Sequence, residues 1–300
     1  MLCLDKRYST KRHLASKTGC FYEKPMSIYE IKEYGGLRPN GHCKESLRDR
    51  PLVTIITATY NRTEFLEETI HSVISQGYEN IEHIIIDGGS TDGTIDVIKK
   101  YDDIIDFWIS RPDNSMYEAI NHGIELARGD IIAVLNSDDK YASPRIIEQV
   151  VANFKKYPQI DALYGDLIRL YKNHIRYKRL FQVNYRQYLL SRKGTFVPHS
   201  TLFVTRKCIE TIGLYDTRYR YASDYDFILR ILKDCRIKYF NQPLTYFREH
   251  NNSITSACNT IRPETFLILK EHKIDELSKC NQFIMYVYLW SKYKIMNILH

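Results

Sequence analysis

Three clusters of acidic residues stand where they could do chemistry. Asp87-Gly88-Gly89-Ser90-Thr91-Asp92-Gly93-Thr94 directly follows an apolar run. Its glycines let the backbone approach a ligand closely. Asp87, at the end of the run, can accept from a base N–H or from ribose hydroxyls, whereas Asp92 or Thr91 suits a helix N-cap equally well. Asn136-Ser137-Asp138-Asp139 closes a second apolar run. Adjacent carboxylates repel unless a cation or donors compensate, and oxygen-only ligands suit Mg²⁺ or Mn²⁺. The plainer alternative is an exposed turn with one aspartate capping the next helix. Ala222-Ser223-Asp224-Tyr225-Asp226 opens an apolar helix. Asp224 there has the chemistry of a general base on a hydroxyl, and equally that of a first-turn acid favoured by the helix dipole.

Other chemistries lack their parts. No G-x-S-x-G elbow is present, and His199 and His250 are isolated along the chain. Neither G-x-x-x-x-G-K-[ST] nor G-x-G-x-x-G occurs, so the phosphate loop and the dinucleotide fingerprint are missing. The seven cysteines are odd in number and widely spaced, with no C-x-x-C pair, which predicts reduced thiols and a cytoplasmic setting.

The elements that must carry these clusters alternate. Val53 to Ala58 reads as a buried strand, 62–76 as an amphipathic helix with Asn61 as N-cap and Glu64 as its capping-box partner. Strands follow at 81–86, 104–109 and 131–135, helices at 95–101 and 115–127, and a turn at 88–94. Strand–helix alternation with short links predicts an α/β fold with a parallel sheet, whose ligands bind outside the carboxyl ends of the strands. Asp87 and Asp138 both sit at such ends. Beyond Pro144 the pattern predicts helices at 144–156, 206–212 and 224–235, and strands near 161–170, 196–204, 236–240 and 243–248. Residues 1–50 read as an irregular N-terminal extension, 51–255 as the main domain and 256–300 as a helical C-terminal tail.

Composition is that of a globular protein, 44% hydrophobic and 26% charged. The net charge of +7 is compatible with phosphate ligands, anionic lipid or nucleic acid without choosing among them. There are 24 tyrosines, whose ring with a polar tip suits sugar and interface contacts as well as core filling. The stretch 169–193 carries eight Lys or Arg, four tyrosines and no acidic residue. It reads as a solvated basic face or as a surface for anionic lipid. No signal peptide is evident, and the apolar stretch Phe283 to Trp290 is far short of a bilayer span.

Taken in order, these residues resemble glycosyltransferase family 2, in its polysaccharide-biosynthesis branch. Thr54-Ile-Ile-Thr-Ala-Thr-Tyr-Asn-Arg62 is similar to that family's opening motif, and Ile84-Ile-Ile-Asp-Gly-Gly-Ser-Thr-Asp-Gly-Thr94 to its nucleoside-binding turn. Arg111-Pro-Asp-Asn-Ser-Met-Tyr-Glu-Ala-Ile-Asn-His-Gly123 resembles a donor-site segment, and Leu135-Asn-Ser-Asp-Asp139 the D-x-D metal motif. Pro198-His-Ser200, Gly213-Leu-Tyr-Asp216 and Ser223-Asp-Tyr-Asp226 resemble the acceptor-side half.

The resemblance implies a GT-A fold, a Rossmann-like, mostly parallel mixed sheet with helices on both faces. It implies inverting transfer of a sugar from a nucleoside-diphosphate-sugar to a saccharide or lipid-linked saccharide. Thr59 and Asn61 would line the nucleoside pocket, Asp87 would accept from the base, and Asp113 and Asn121 would sit by the donor. Asp138 would hold Mg²⁺ or Mn²⁺ on the diphosphate with Asp139 beside it, and His250 falls where some members place a further metal or phosphate ligand. Asp224 takes the catalytic-base position.

Two positions depart from the pattern. Asn136 replaces the first acid of D-x-D, and Gly88 stands where many members have a second aspartate. The competing readings are a non-catalytic sugar-nucleotide-binding module, a nucleotidyltransferase without its basic triphosphate loop, and a nucleic-acid binder without a recognised motif, the last being set aside. The expected setting is cytoplasmic, peripheral at the inner face of the cell membrane.

Overall fold

The computed structural model describes residues 31–172, 174–190, 197–249 and 258–272, and the backbone of 13–14. His250 and the 283–290 stretch lie outside the described residues. The chain forms two compact units, Met1–Pro158 with Phe203–Arg206, and Gln159–Leu202 with Lys207–His300.

The first unit holds strands β1 (His13–Leu14), β2 (Glu33–Gly35), β3 (His42–Cys43), β4 (Val53–Thr59), β5 (Ile81–Asp87), β6 (Phe107–Ser110), β7 (Ile131–Val134) and β8 (Lys140–Tyr141). Its helices are α1 (Leu66–Ile74), α2 (Thr94–Lys99), α3 (Met116–Leu126) and α4 (Ile146–Lys156). The second unit carries β9 (Ala162–Leu170), β10 (Ile175–Lys178), α5 (Tyr185–Leu190) and a 3₁₀ turn at His199–Thr201. There follow β11 (Phe203–Thr205), which belongs to the first unit, then α6 (Arg206–Ile212), α7 (Ser223–Asp234), β12 (Ile237–Arg248) and α8 (Cys258–Glu271).

In the first unit the strand order is β2-β6-β5-β4-β7-β11. The four central strands are parallel, and β2 and β11 flank them antiparallel. β5 is buried at every residue and β4 at all but one. Such near-continuous apolar runs belong to strands covered on both faces. Register shows how the faces divide. Ile56 is paired with Ile84 and Thr57 with Ile85, so Ile56 and Ile85 face opposite sides. α3 lies over Ile56, so close at Gly123 that a Cβ there would come within 2.4 Å of the Ile56 side chain. On the other face Ile85 is clustered with Leu66 and Ile70 of α1, Val97 and Ile98 of α2, and Ile105 and Trp108. The sheet is therefore mixed and mostly parallel with helices on both faces.

Several boundaries differ from the sequence reading. α1 starts at Leu66, without a side-chain cap, because Asn61 is not its N-cap. Asn61 adopts a left-handed backbone (φ 51°) and turns its amide toward Thr91. Ile104 and Ile105 precede β6 in a turn, where Ile105 joins the apolar cluster. The strand predicted at 196–204 is a 3₁₀ turn followed by the short β11. Strands predicted at 236–240 and 243–248 are one strand, β12, parallel to β9, with register shifts around Pro243. Proline lacks the N–H that a regular ladder needs, so the strand bulges there rather than ending. The basic stretch after 169 contains β10, antiparallel to β9, and α5, neither of which was predicted. Cys43 is buried and disulfide-bonded, against the expectation of reduced thiols, while Cys208 and Cys235 remain thiols, with Cys208 Sγ donating to Cys235 Sγ at 3.3 Å. Spacing along a chain says nothing about which thiols meet in space.

Candidate active site

The chain runs from β4 outward through β5 and β6 and then returns to the other flank of β4 as β7. This reversal creates the crevice, beyond the strand carboxyl ends, in which open α/β sheets bind ligands. Thr59, Asp87 and Ser110 are paired in one row across the ends of β4, β5 and β6.

Asp87 is fully buried and spends its oxygens on the turn that follows. Oδ2 accepts from Gly89 N at 3.0 Å, Ser90 N at 2.9 Å and Ser110 Oγ at 2.7 Å, and Oδ1 accepts from Ser90 Oγ. Gly89 has φ +83°, a conformation that glycine takes without strain. Asn61 braces this turn from β4: its Oδ1 accepts from Thr91 N at 2.9 Å, and its N–H donates to Ser90 Oγ at 2.8 Å. Asp92, on the exposed rim, accepts from Thr94 N at 3.0 Å and from Thr63 N at 3.3 Å. Thr59 is 5% exposed, and its Oγ1 finds no hydrogen-bond partner among the described residues.

The segment after β6 adds a buried acid. The Asp113 side chain is only 4% exposed, and neither carboxylate oxygen is hydrogen-bonded among the described residues. Arg111 Nε and His122 Nδ1 each stand 3.5 Å from Oδ1. Buried polar atoms in folded proteins are nearly all hydrogen-bonded, so exceptions call for an explanation such as an absent ligand. Ser115 caps α3 by accepting from Glu118 N at 3.2 Å, and this fixes the helix that carries Asn121 and His122. Ser90, Ser110, Arg111 and His122 were not singled out from the sequence. The polar side chains aligned at the strand ends were the signal available for them.

After β7, Asp138 is half-buried in a turn. Asp139 is 1% exposed, and its Oδ2 accepts from Asn136 Nδ2 at 2.9 Å. Among the described residues no three His, Cys, Asp or Glu gather as a metal site. A hard cation needs no such cage, because Mg²⁺ commonly uses one or two carboxylates and takes its other ligands from phosphate and water. The donor set at Asn136–Asp139 is oxygen in character and fits such an ion.

In the second unit three motifs distant in sequence meet. His199 Nε2 stands 2.5 Å from the Tyr215 hydroxyl, and the Tyr215 ring stacks on Phe227 with centroids 3.9 Å apart. Tyr215 is buried; burial first, and then the charge of Asp224, pushes its hydroxyl well above the usual tyrosine value. His199 is thus not isolated. Asp224, in the first turn of α7, is half-buried, and its Oδ1 accepts from Tyr225 N at 2.8 Å. Asp226 is buried between Arg230 Nε at 2.8 Å and His272 Nε2 at 3.0 Å. Burial raises its carboxyl, but these partners outweigh burial and hold it below the usual range.

The chain is similar to several known proteins. A Mycobacterium tuberculosis protein known as an uncharacterized glycosyltransferase is 32% identical over 186 residues, covering 62% of this chain and 70% of its own length. A PGL/p-HBAD biosynthesis glycosyltransferase of Mycobacterium bovis is 28% identical over 222 residues, covering 72% and 83%. S. aureus TarS 1–349, solved in complex with UDP-GlcNAc, shares the fold with a TM-score of 0.60 at 15% identity, over 78% of this chain and 70% of that one. The mannosyltransferase PcManGT of Pyrobaculum calidifontis, solved with GDP-Man and Mn²⁺, aligns with a TM-score of 0.58 at 16% identity, over 92% and 74%. These likenesses establish the GT-A fold. The model of glycosyl transferase family 2 matches residues 54–212, from β4 to the end of α6. That match covers more than half of the chain, and with it the chain belongs to glycosyltransferase family 2.

Proposed function

We propose that this glycosyltransferase moves a sugar, with inversion, from a nucleoside-diphosphate-sugar to a hydroxyl of a saccharide or lipid-linked saccharide in cell-surface polysaccharide assembly. The observation that carries the reading is the pair of unsatisfied polar groups at the strand ends, Thr59 Oγ1 and the Asp113 carboxylate. Both are buried, both belong to sequence motifs of the family, and a bound nucleotide-sugar offers hydroxyl and N–H donors to satisfy them. The nucleotide-sugars held by TarS and PcManGT support the same donor class.

In this reading Asn61 and Asp87 shape the nucleoside turn, with Thr59 facing the ligand. Asp113 and Asn121 orient the donor sugar. Asp138, with Asn136 and Asp139 behind it, would hold Mg²⁺ or Mn²⁺, which supplies Lewis-acid stabilisation to a departing diphosphate. Asp224 accepts the proton of the acceptor hydroxyl as the new glycosidic bond forms, a role worth roughly 10²–10⁴-fold in rate. The anomeric carbon is attacked from the face opposite the leaving group, so its configuration inverts.

The β9–β10 hairpin supports a place at a membrane surface. It exposes Ile175 (67%) beside Arg176 and Lys172, a pattern suited to an anionic bilayer. Among the described residues no helix is long and apolar enough to cross a membrane. Co-sedimentation with anionic but not neutral vesicles is the expected result.

The test is a thermal-shift panel of UDP-, GDP- and dTDP-sugars with Mn²⁺, followed by transfer assays on the donor that stabilises. One donor class should stabilise the protein, and EDTA or Asp138→Ala should abolish transfer. No stabilisation by any nucleotide-sugar would overturn the donor assignment, and full activity in chelator would overturn the metal.

A further inference from the structure

Helix α8 lies beyond the segment matched by the family model and within the stretch read from sequence as a helical tail. Its polar side chains nevertheless converge on the residues around Asp224. Glu264 accepts three successive backbone N–H groups, from Arg220 at 3.0 Å, Tyr221 at 2.8 Å and Ala222 at 2.9 Å. These residues lead into α7, and Ala222 is its N-cap, which offers no side-chain cap of its own. Eight residues after Glu264, His272 meets the Asp226 carboxylate at 3.0 Å. Tyr185 of α5 stands 3.1 Å from the other ring nitrogen of His272 and holds the imidazole in place. Residues eight apart lie on one face of a helix, and Ile268, midway between them, is fully buried. Asp224 therefore sits between two anchors, at 222 and at 226, supplied by Glu264 in the middle of α8 and by His272 just after it.

We infer that Glu264 is a positioning residue for Asp224, holding the start of α7 so that the Asp224 carboxylate meets the acceptor hydroxyl in line. This deepens the reading of Asp224 as proton acceptor and rests on it. The physical reason lies in the helix terminus. The N–H groups at a helix start have no intrahelical partner, and here a carboxylate from another helix takes that of the N-cap Ala222 together with those of Tyr221 and Arg220 just before it, in charge-assisted bonds, the strong kind. Removing the carboxylate frees the first turn to shift by a fraction of a turn. A displacement of about 1 Å in a reacting group costs on the order of 10²-fold in rate.

The test is steady-state kinetics on the full chain for Glu264→Gln and Glu264→Ala, each made in the natural and in the Asp224→Asn background. Glu264→Gln keeps the side-chain shape and one acceptor oxygen, so it carries the test if the alanine variant does not fold. Expected are falls in kcat of about tenfold for Gln and about a hundredfold for Ala, with donor KM within about twofold of natural. In the Asp224→Asn background neither substitution should lower the residual rate further. A residue that merely stabilised the fold would lower the rate in both backgrounds, and that result overturns the proposal. So does an unchanged kcat in folded Glu264→Gln and Glu264→Ala. If Asp224→Asn alone keeps near-natural turnover, the base assignment has failed, and the positioning role falls with it by a visibly different route.

Discussion

Replacing Asp87 by Asn probes the turn on which nucleotide binding is proposed to depend. The carboxylate is fully buried and holds four hydrogen bonds, three at Oδ2 and one at Oδ1. Hydrogen bonds to a charged group contribute roughly 1.5–3 kcal/mol net, against roughly 0.5–1.5 kcal/mol between neutral groups. Asparagine keeps one oxygen and turns an N–H₂ toward the remaining contact. Three bonds at Oδ2 weaken by about 1 kcal/mol each, and the Ser90 hydroxyl loses its acceptor at Oδ1 for about 1 kcal/mol more. An amide is cheaper to bury than a carboxylate, which returns part of this, so the expected net loss is about 2–3 kcal/mol. For a unit of this size about 1 kcal/mol lowers the melting temperature by about 2–4 °C, so Asp87→Asn should melt about 5–10 °C lower. Ser110→Ala removes a single donor and should cost about 1 kcal/mol. Melting curves give the stability term, and titration calorimetry with the stabilising nucleotide-sugar gives the binding term, expected to weaken by about tenfold, or about 1.4 kcal/mol. An Asp87→Asn protein with unchanged melting temperature and unchanged affinity would refute the view that this carboxylate organises the turn.

Two further outcomes follow from packing and burial. Gly123→Ala places a Cβ 2.4 Å from Ile56 and should destabilise the first unit by about 1–3 kcal/mol despite alanine's better helix propensity; urea unfolding of the variant measures it. Burial, and after it the charge of Lys44, lowers the His83 imidazole from 6.5 to about 3. The unfolded chain therefore takes up that proton first as pH falls. The His83 contribution is complete above about pH 6.5 and is lost as pH drops from there to about 3, an effect on the order of 3–5 kcal/mol. The difference in unfolding free energy between natural protein and His83→Gln, measured at pH 7, 5.5 and 4.5, should shrink toward acid.

The parallel core was legible because β4, β5 and β7 are buried on both faces and read as unbroken apolar runs. Their ends then marked Asp87, which closes β5, and Asp138, which follows β7, on the two strands that flank β4. Local polar chemistry was harder to read. Asn61 looks like an N-cap because cap residues and left-handed turn residues draw on the same small set, and its choice of Thr91 depends on a turn 30 residues away. β10 was hidden because three of its four residues are exposed and two of those four are basic, so no buried alternation marks it. The His199–Tyr215 contact spans two motifs whose meeting depends on tertiary packing. The contacts of Glu264 in α8 and of His272 just after it were invisible for the same reason, since their partners at Arg220–Ala222 and Asp226 are met only through tertiary packing.

The most direct test is single-turnover transfer by Asp224→Asn with the identified donor, acceptor and Mn²⁺, alongside a titration of donor binding. The expected result is unchanged donor affinity with transfer slowed by roughly 10²–10⁴-fold. Turnover close to that of the natural protein, at equal donor occupancy, would contradict the assignment of Asp224 as the group that accepts the acceptor's proton.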